Sequence, residues 1–114
     1  MLESRIQTAI ERFLRRKEAR GELVYQKNNS GAVLIPDRGR RMRLLRFGKK
    51  GSPDFLVWRT ARDGGFCETL FMEVKKPKTG RQSPAQRRFQ SAVEELGGRY
   101  VIVRSLDDAK ALLS

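Results

Sequence analysis

The sequence has no histidine, a single cysteine, and no apolar run of the roughly 18 residues that a membrane-spanning helix needs. Without histidine, Cys67 cannot complete a zinc finger or zinc ribbon, and it has no second cysteine with which to form a disulfide. A reducing cytoplasm is the simplest compartment for such a chain. The opening stretch "MLESRIQTAIERFL" lacks the apolar core and small-residue cleavage site of a secretory leader. No repeat, low-complexity tract or linker interrupts the chain, so residues 1–114 are expected to form one domain. Acids are scarce as well: 13 Asp and Glu stand against 25 Lys and Arg, a net charge of +12. On a small domain that surplus is self-repulsion unless a polyanion accepts it, and DNA, RNA, an anionic membrane or an acidic protein would serve.

Apolar periodicity supplies the elements. Ile6, Ala9, Ile10, Phe13 and Leu14 recur at helical spacing from Leu2 to about Lys17, and Gly21 is a natural stop. "ELVYQKN" reads as a strand, and "AVLI" and "MRLLRF" read as two short strands around the "PDRGR" turn. Arg38, Arg40, Arg41, Arg43, Arg46, Lys49 and Lys50 make this stretch a basic arm without an acid, expected to contact nucleic acid. "FLVW" and "CETLFMEVK" are strands joined by the turn signal "RDGG", with Phe55 and Trp58 expected in the core.

"SPAQRRFQSAVEELGG" carries complete helix punctuation. Ser83 is the N-cap, Pro84 takes the first helical position, Gln86 closes a capping box, and Gly97 ends the helix. "RYVIV" is a short apolar strand suited to burial on both faces, and "SLDDAKALL" is a final helix capped by Ser105.

The chemistry sits on the hairpin. Residues two apart in a strand share a face, so Glu73 and Lys75 point together while Leu70, Met72 and Val74 point into the core. If the turn centres near Gly64, Asp54 lies opposite Glu73 or one step diagonal to it. Two carboxylates that close repel, and a divalent cation resolves the conflict. Oxygen donors with no histidine suit hard Mg²⁺ or Mn²⁺. A cation beside a lysine is what phosphodiester hydrolysis uses, and Lys75, Lys76, Lys78, Arg81, Arg87 and Arg88 form an acid-free flank able to grip a phosphate backbone. Each residue also admits a plainer reading: Asp54 as a turn residue after proline, Glu73 and Lys75 as a solvated strand face, Gln86 as a capping residue alone. The arginines near the end of the first helix read as a solvated helix end favourable to the dipole.

"SPDF" followed by "MEVKK" resembles the PD-(D/E)XK nuclease signature. "GKKGSPDFLVW", "FMEVKKPKTGRQSPAQRRF" and "GGRYVIVRSLDDA" are similar to the VRR-NUC branch of that superfamily, over nearly the whole chain, and to its standalone, phage-type members in particular. The resemblance implies an α/β, restriction-endonuclease-like core: helix, three-stranded meander, helix and strand, with a mixed central sheet flanked by helices. It implies that Asp54, Glu73, the backbone carbonyl of Val74 and the first-helix acid Glu3 hold the metal, that Lys75 is catalytic, and that Gln86 opens the helix behind the site. Glu11 is the alternative first-helix acid.

The expected activity is therefore a Mg²⁺- or Mn²⁺-dependent endonuclease acting on DNA in the cytoplasm of a bacterial or phage-infected cell, with no membrane partner. The chain offers no spare helix for a major groove, so shape is the expected determinant of substrate. A homodimer would present two sites to a four-way junction, as the resemblance implies, and Val33 to Ile35 with the basic arm is a candidate contact. The competing readings are a DNA-binding module without chemistry, a monomeric flap or nicking nuclease, and a ribosomal-type basic protein.

Overall fold

The computed structural model describes residues 2–28 and 50–114, together with the backbone of two strands at 32–36 and 42–46. The first helix, α1 (Leu2–Ala19), turns at Gly21 (φ 76°) into β1 (Val24–Lys27). The strands β2 (Ala32–Pro36) and β3 (Met42–Arg46) pair with each other in antiparallel register, as the flanks of the "PDRGR" turn suggest. Their side chains, including Val33 to Ile35, Arg43 and Arg46, lie outside the described residues, as do Arg38, Arg40, Arg41 and Lys49. There follow β4 (Phe55–Thr60), β5 (Cys67–Val74), α2 (Pro84–Glu95), β6 (Arg99–Val103) and α3 (Leu106–Leu113).

The main sheet is four-stranded in the order β1-β4-β5-β6. The strands β1, β4 and β5 form the antiparallel meander, and β6 joins β5 in parallel, so the sheet is mixed. The parallel pairing follows from the α2 crossover, which carries the chain back to the starting end of the sheet.

The sheet has one apolar face and one mixed face because its residues alternate. Phe55, Val57, Leu70, Met72 and Val74 are completely buried and pack with Ile10 and Leu14 of α1 and Ala109 and Leu113 of α3. Each large side chain buried there stabilises the fold by roughly 1.5–3 kcal/mol. On the opposite face Phe71 packs against Phe89 of α2 with the rings tilted by 58°, and Phe89 also meets Tyr100 of β6.

Two expectations change. Trp58 alternates with Val57 and is only half-buried, beside Glu18, Gly21 and Val24, so it is not part of the core formed by Phe55. The strand β6 is an edge strand, and Val101 and Ile102 remain partly exposed rather than buried on both faces. No helix among the described residues is long and apolar enough to cross a membrane.

Candidate active site

The β4–β5 ladder ends at the pair Phe55–Met72, so Asp54 and Glu73 occupy the next position on each strand. Beyond that point a side chain replaces the ladder: the Val74 N–H donates to Asp54 Oδ2 at 2.8 Å. The backbone leading to Asp54 is equally constrained. Asn28 N–H donates to the Asp54 carbonyl at 2.8 Å, and Asn28 Nδ2 donates to the Pro53 carbonyl at 3.0 Å. Gly51 adopts φ 85°, and a Cβ there would stand 2.4 Å from the Ala85 carbonyl oxygen, so only glycine lets this turn approach the start of α2.

Glu73 is 2% exposed. Its Oε2 accepts from Gln86 Nε2 at 3.0 Å and lies 3.6 Å from Lys75 Nζ, while its Oε1 is buried with no hydrogen-bond partner among the described residues. Lys75 is itself 9% exposed, and its backbone N–H extends the parallel ladder to the Val103 carbonyl at 3.0 Å. Gln86 serves two elements at once. Its amide oxygen accepts the Ser83 N–H at 2.8 Å and its own N–H donates to Ser83 Oγ at 3.1 Å, which is the capping box the sequence suggests.

The first turn of α1 brings the third acid. One carboxylate oxygen each from Glu3, Asp54 and Glu73 lie within 4.8 Å of one another. Glu11, two helical turns on, is used elsewhere: it accepts from the Tyr25 hydroxyl at 3.2 Å and has Arg15 and Lys27 at 3.8 and 3.9 Å. Of the two first-helix acids, the fold brings Glu3 to the cluster.

Burial, then the facing Asp54 carboxylate, push the Glu73 carboxyl up to about 8; Glu3 adds a smaller push and Lys75 opposes it. A carboxyl held protonated near neutral pH by its neighbours is a group short of positive charge. An unpartnered buried oxygen, a clustered set of three carboxylates and a raised carboxyl together fit a hard divalent cation with oxygen ligands. Tyr100, on the α2 face of the sheet, has a buried hydroxyl; burial, then the Glu73 charge, push it up to about 12, and the neighbouring Gln82 opposes the shift.

Lys50, Lys76, Lys78, Arg81, Arg87 and Arg88 are all exposed. Arg87 donates to the Gln82 carbonyl at 3.0 Å and Arg81 to the Lys78 carbonyl at 3.3 Å, which ties both to the segment between β5 and α2.

One residue near the site has no sequence signal. Arg104, just past β6, donates from one nitrogen, Nη1, to the carbonyls of Lys76 at 2.7 Å and Gly80 at 2.9 Å. Gly80 in turn has no room for a side chain: a Cβ there would meet the Lys76 backbone at 2.6 Å and Lys75 Cβ at 3.1 Å. Arg104 thus closes the loop that follows Lys75 into one shape. Nothing in "VRSLDD" distinguishes this arginine from a solvated one, because its acceptors are backbone carbonyls distant in sequence.

Comparison with known proteins bears on the fold and the family. The profile of the VRR-NUC domain family matches residues 3–107. A solved structure described as a VRR-NUC domain is similar to this chain at 25% identity and TM-score 0.58, over 98% of this chain and 94% of that one. Among curated proteins no relative matches the chain.

Proposed function

The chain belongs to the VRR-NUC domain family, a nuclease family, and from that premise we propose a metal-dependent DNA endonuclease built on Glu3, Asp54, Glu73 and Lys75. The observation that carries this reading is Glu73: a carboxylate buried beside Asp54 and Glu3, one of whose oxygens has no partner while a lysine stands 3.6 Å from the other. A module that only bound DNA would gain nothing from burying mutually repelling acids.

In this reading Asp54, Glu73, Glu3 and the Val74 carbonyl would hold Mg²⁺ or Mn²⁺. The bound cation supplies a Lewis acid for the phosphoryl group and a more acidic water. The Val74 N–H fixes the Asp54 carboxylate, and Gln86 fixes Glu73, so neither has to reorganise when substrate arrives. Lys75 places a positive charge beside the phosphoryl oxygens, where negative charge builds up as water attacks phosphorus and the P–O bond to the leaving oxygen breaks. Lys50, Lys76, Lys78, Arg81, Arg87 and Arg88 hold the phosphate backbone of the DNA, and the basic arm Arg38, Arg40, Arg41, Arg43, Arg46 and Lys49 adds to that grip.

Residues 1–114 form a single nuclease domain in this reading, and it acts on structured DNA, a four-way junction above all. The supporting consideration is shape: α1 and α3 are both built into the core of the domain, and the described residues hold no separate recognition module for base edges. Two copies related by a two-fold axis would offer two opposed sites to a junction, in the cytoplasm of a bacterial or phage-infected cell. The test is a cleavage series with wild type and Glu73→Ala on labelled four-way junction, flap, single-stranded and linear duplex DNA, in Mg²⁺, Mn²⁺ or EDTA. Symmetric, metal-dependent junction cutting by wild type alone is the expected result. Junction binding without any cutting would replace the enzyme with a binding module.

A further inference from the structure

The helix that brings Glu3 to the site carries a basic stripe on its other side, whose last member, Arg20, has an acid in its neighbourhood, Glu22. At about 100° per residue, Arg5, Arg12 and Arg16 fall within roughly 40° of one another, and Arg20, just past the helix, continues the line. All four are exposed. Ile10 and Leu14 lie on the opposite side, completely buried in the core. The remaining bases of this helix are matched locally: Arg15 faces Glu11 at 3.8 Å, and Lys17 bonds Glu22 at 2.9 Å. Among the described residues, no ion pair involves Arg5, Arg12, Arg16 or Arg20.

Folding does not account for this stripe. The negative end of the helix dipole favours Arg16 and Arg20, but it leaves Arg5 near the N-terminal end, where a cation is unfavourable, and does nothing for Arg12 in mid-helix. Arg12 and Arg16 are also like charges one turn apart, which weakens a helix by a few tenths of a kcal/mol. An external polyanion removes both penalties. The stripe runs about 22 Å from Arg5 to Arg20, at 1.5 Å per residue, and so matches the rise of roughly six base pairs of duplex. A membrane is the poorer partner, because the apolar side of α1 is already in the core and has nothing left to insert. A protein partner is poorer too, because along the arginines this face offers only the half-buried Ala9 and, at its N-terminal end, the exposed Leu2, and no cluster of large apolar side chains.

We propose that the outer face of α1 is a second DNA-binding surface, which holds a duplex arm other than the one being cut. Glu3 is directed some 160° around the same helix from Arg5, so DNA lying on the stripe is not the DNA entering the carboxylate cluster. The proposal rests on the reading of the chain as a nuclease for structured DNA, which the Glu73→Ala series tests separately.

The experiment compares wild type with Arg12→Gln/Arg16→Gln/Arg20→Gln and with the corresponding triple lysine variant. Glutamine is a good helix former, so unchanged circular dichroism is expected for both variants, with the melting temperature slightly lower only in the glutamine variant, which loses the favourable dipole contacts of Arg16 and Arg20. Binding is measured against a four-way junction and a 12-base-pair duplex from low to moderate salt, together with the cleavage rate at saturating enzyme. The glutamine variant should lose about 3 from the magnitude of the junction's log–log salt slope, with the lysine variant retaining it. Its affinity for the short duplex and its saturated cleavage rate should match wild type. An unchanged junction slope would overturn the proposal. So would an equal loss on junction and short duplex, which would make the stripe part of the general grip. Loss of binding to anionic vesicles with unchanged junction binding would transfer the surface to a membrane and overturn it as well. If wild type binds the junction through the stripe yet cuts nothing, this surface stands and the enzymatic reading fails.

Discussion

Gln86 links the start of α2 to the buried Glu73: its amide nitrogen donates to Glu73 Oε2 at 3.0 Å while its amide oxygen accepts the Ser83 N–H at 2.8 Å. One side chain therefore caps a helix and orients a carboxylate, and the two roles separate by mutation. Gln86→Glu keeps an acceptor for the Ser83 N–H, so the box survives, but it sets a carboxylate against Glu73. Gln86→Ala loses both contacts and about 1 kcal/mol of helix capping. Both variants are expected to cut DNA at least tenfold more slowly with unchanged binding. Wild-type cleavage by Gln86→Ala would reduce Gln86 to a cap.

The raised carboxyl of Glu73 gives a pH dependence of stability in chelator. Its folded value is about 8, against 4.5 for the ordinary group. The folded state therefore holds a proton that the unfolded state releases, and the associated stability is fully present below about 4.5 and is lost as pH rises toward 8. The limiting slope is roughly 1.4 kcal/mol per pH unit. Melting temperature in EDTA should fall between pH 5 and 8, Glu73→Gln should flatten the curve, and Mn²⁺ should raise the wild-type melt most at the alkaline end. A flat wild-type profile in EDTA would mean that Glu73 is already neutralised by Lys75.

Local chemistry made much of this legible. The "RDGG" turn fixes the β4–β5 register, and Ser83, Pro84 and Gln86 fix the start of α2, so the opposition of Asp54 and Glu73 follows from short-range rules. What stayed hidden depends on how elements rotate against one another. Glu3 and Glu11 lie two turns apart on α1, and which end of the helix meets the sheet at Asp54 and Glu73 decides between them; Glu11 falls beside Tyr25 instead. Trp58 alternates out of the core because the apolar face of β4 is set by Phe55 and Val57. Arg104 finds carbonyls that no pattern in the sequence marks.

Two glycines with similar backbone angles should behave differently. Gly51 and Gly64 have φ 85° and 78°, but a Cβ at Gly51 meets the Ala85 carbonyl at 2.4 Å, whereas one at Gly64 meets nothing within 4 Å. Gly64→Ala bears only backbone strain, on the order of 1 kcal/mol, far from the carboxylates. Gly51→Ala must also move the turn that holds Asp54 away from α2, so a larger loss of stability and a loss of cleavage are expected. Thermal melts and cleavage rates of the two variants decide this. Equal behaviour would mean that the 51–54 turn relaxes without disturbing the site.

Arg104 allows two roles to be told apart. Its guanidinium lies near the basic loop Lys76–Gly80, but the carbonyls of Lys76 and Gly80 take its Nη1, and its backbone N–H donates to Asp108 Oδ2 at 2.8 Å. A positioning residue of this kind acts through Lys75, whose Cβ abuts Gly80. Arg104→Gln should therefore lower the cleavage rate at saturating DNA by about tenfold, since small displacements of reacting groups carry penalties of that size or more. Affinity and salt slope should stay at wild type. A phosphate contact would give the opposite pattern, with a slope smaller by about 1 and little change in the saturated rate. Measuring both quantities on one substrate distinguishes an arginine that shapes the lysine loop from one that holds DNA.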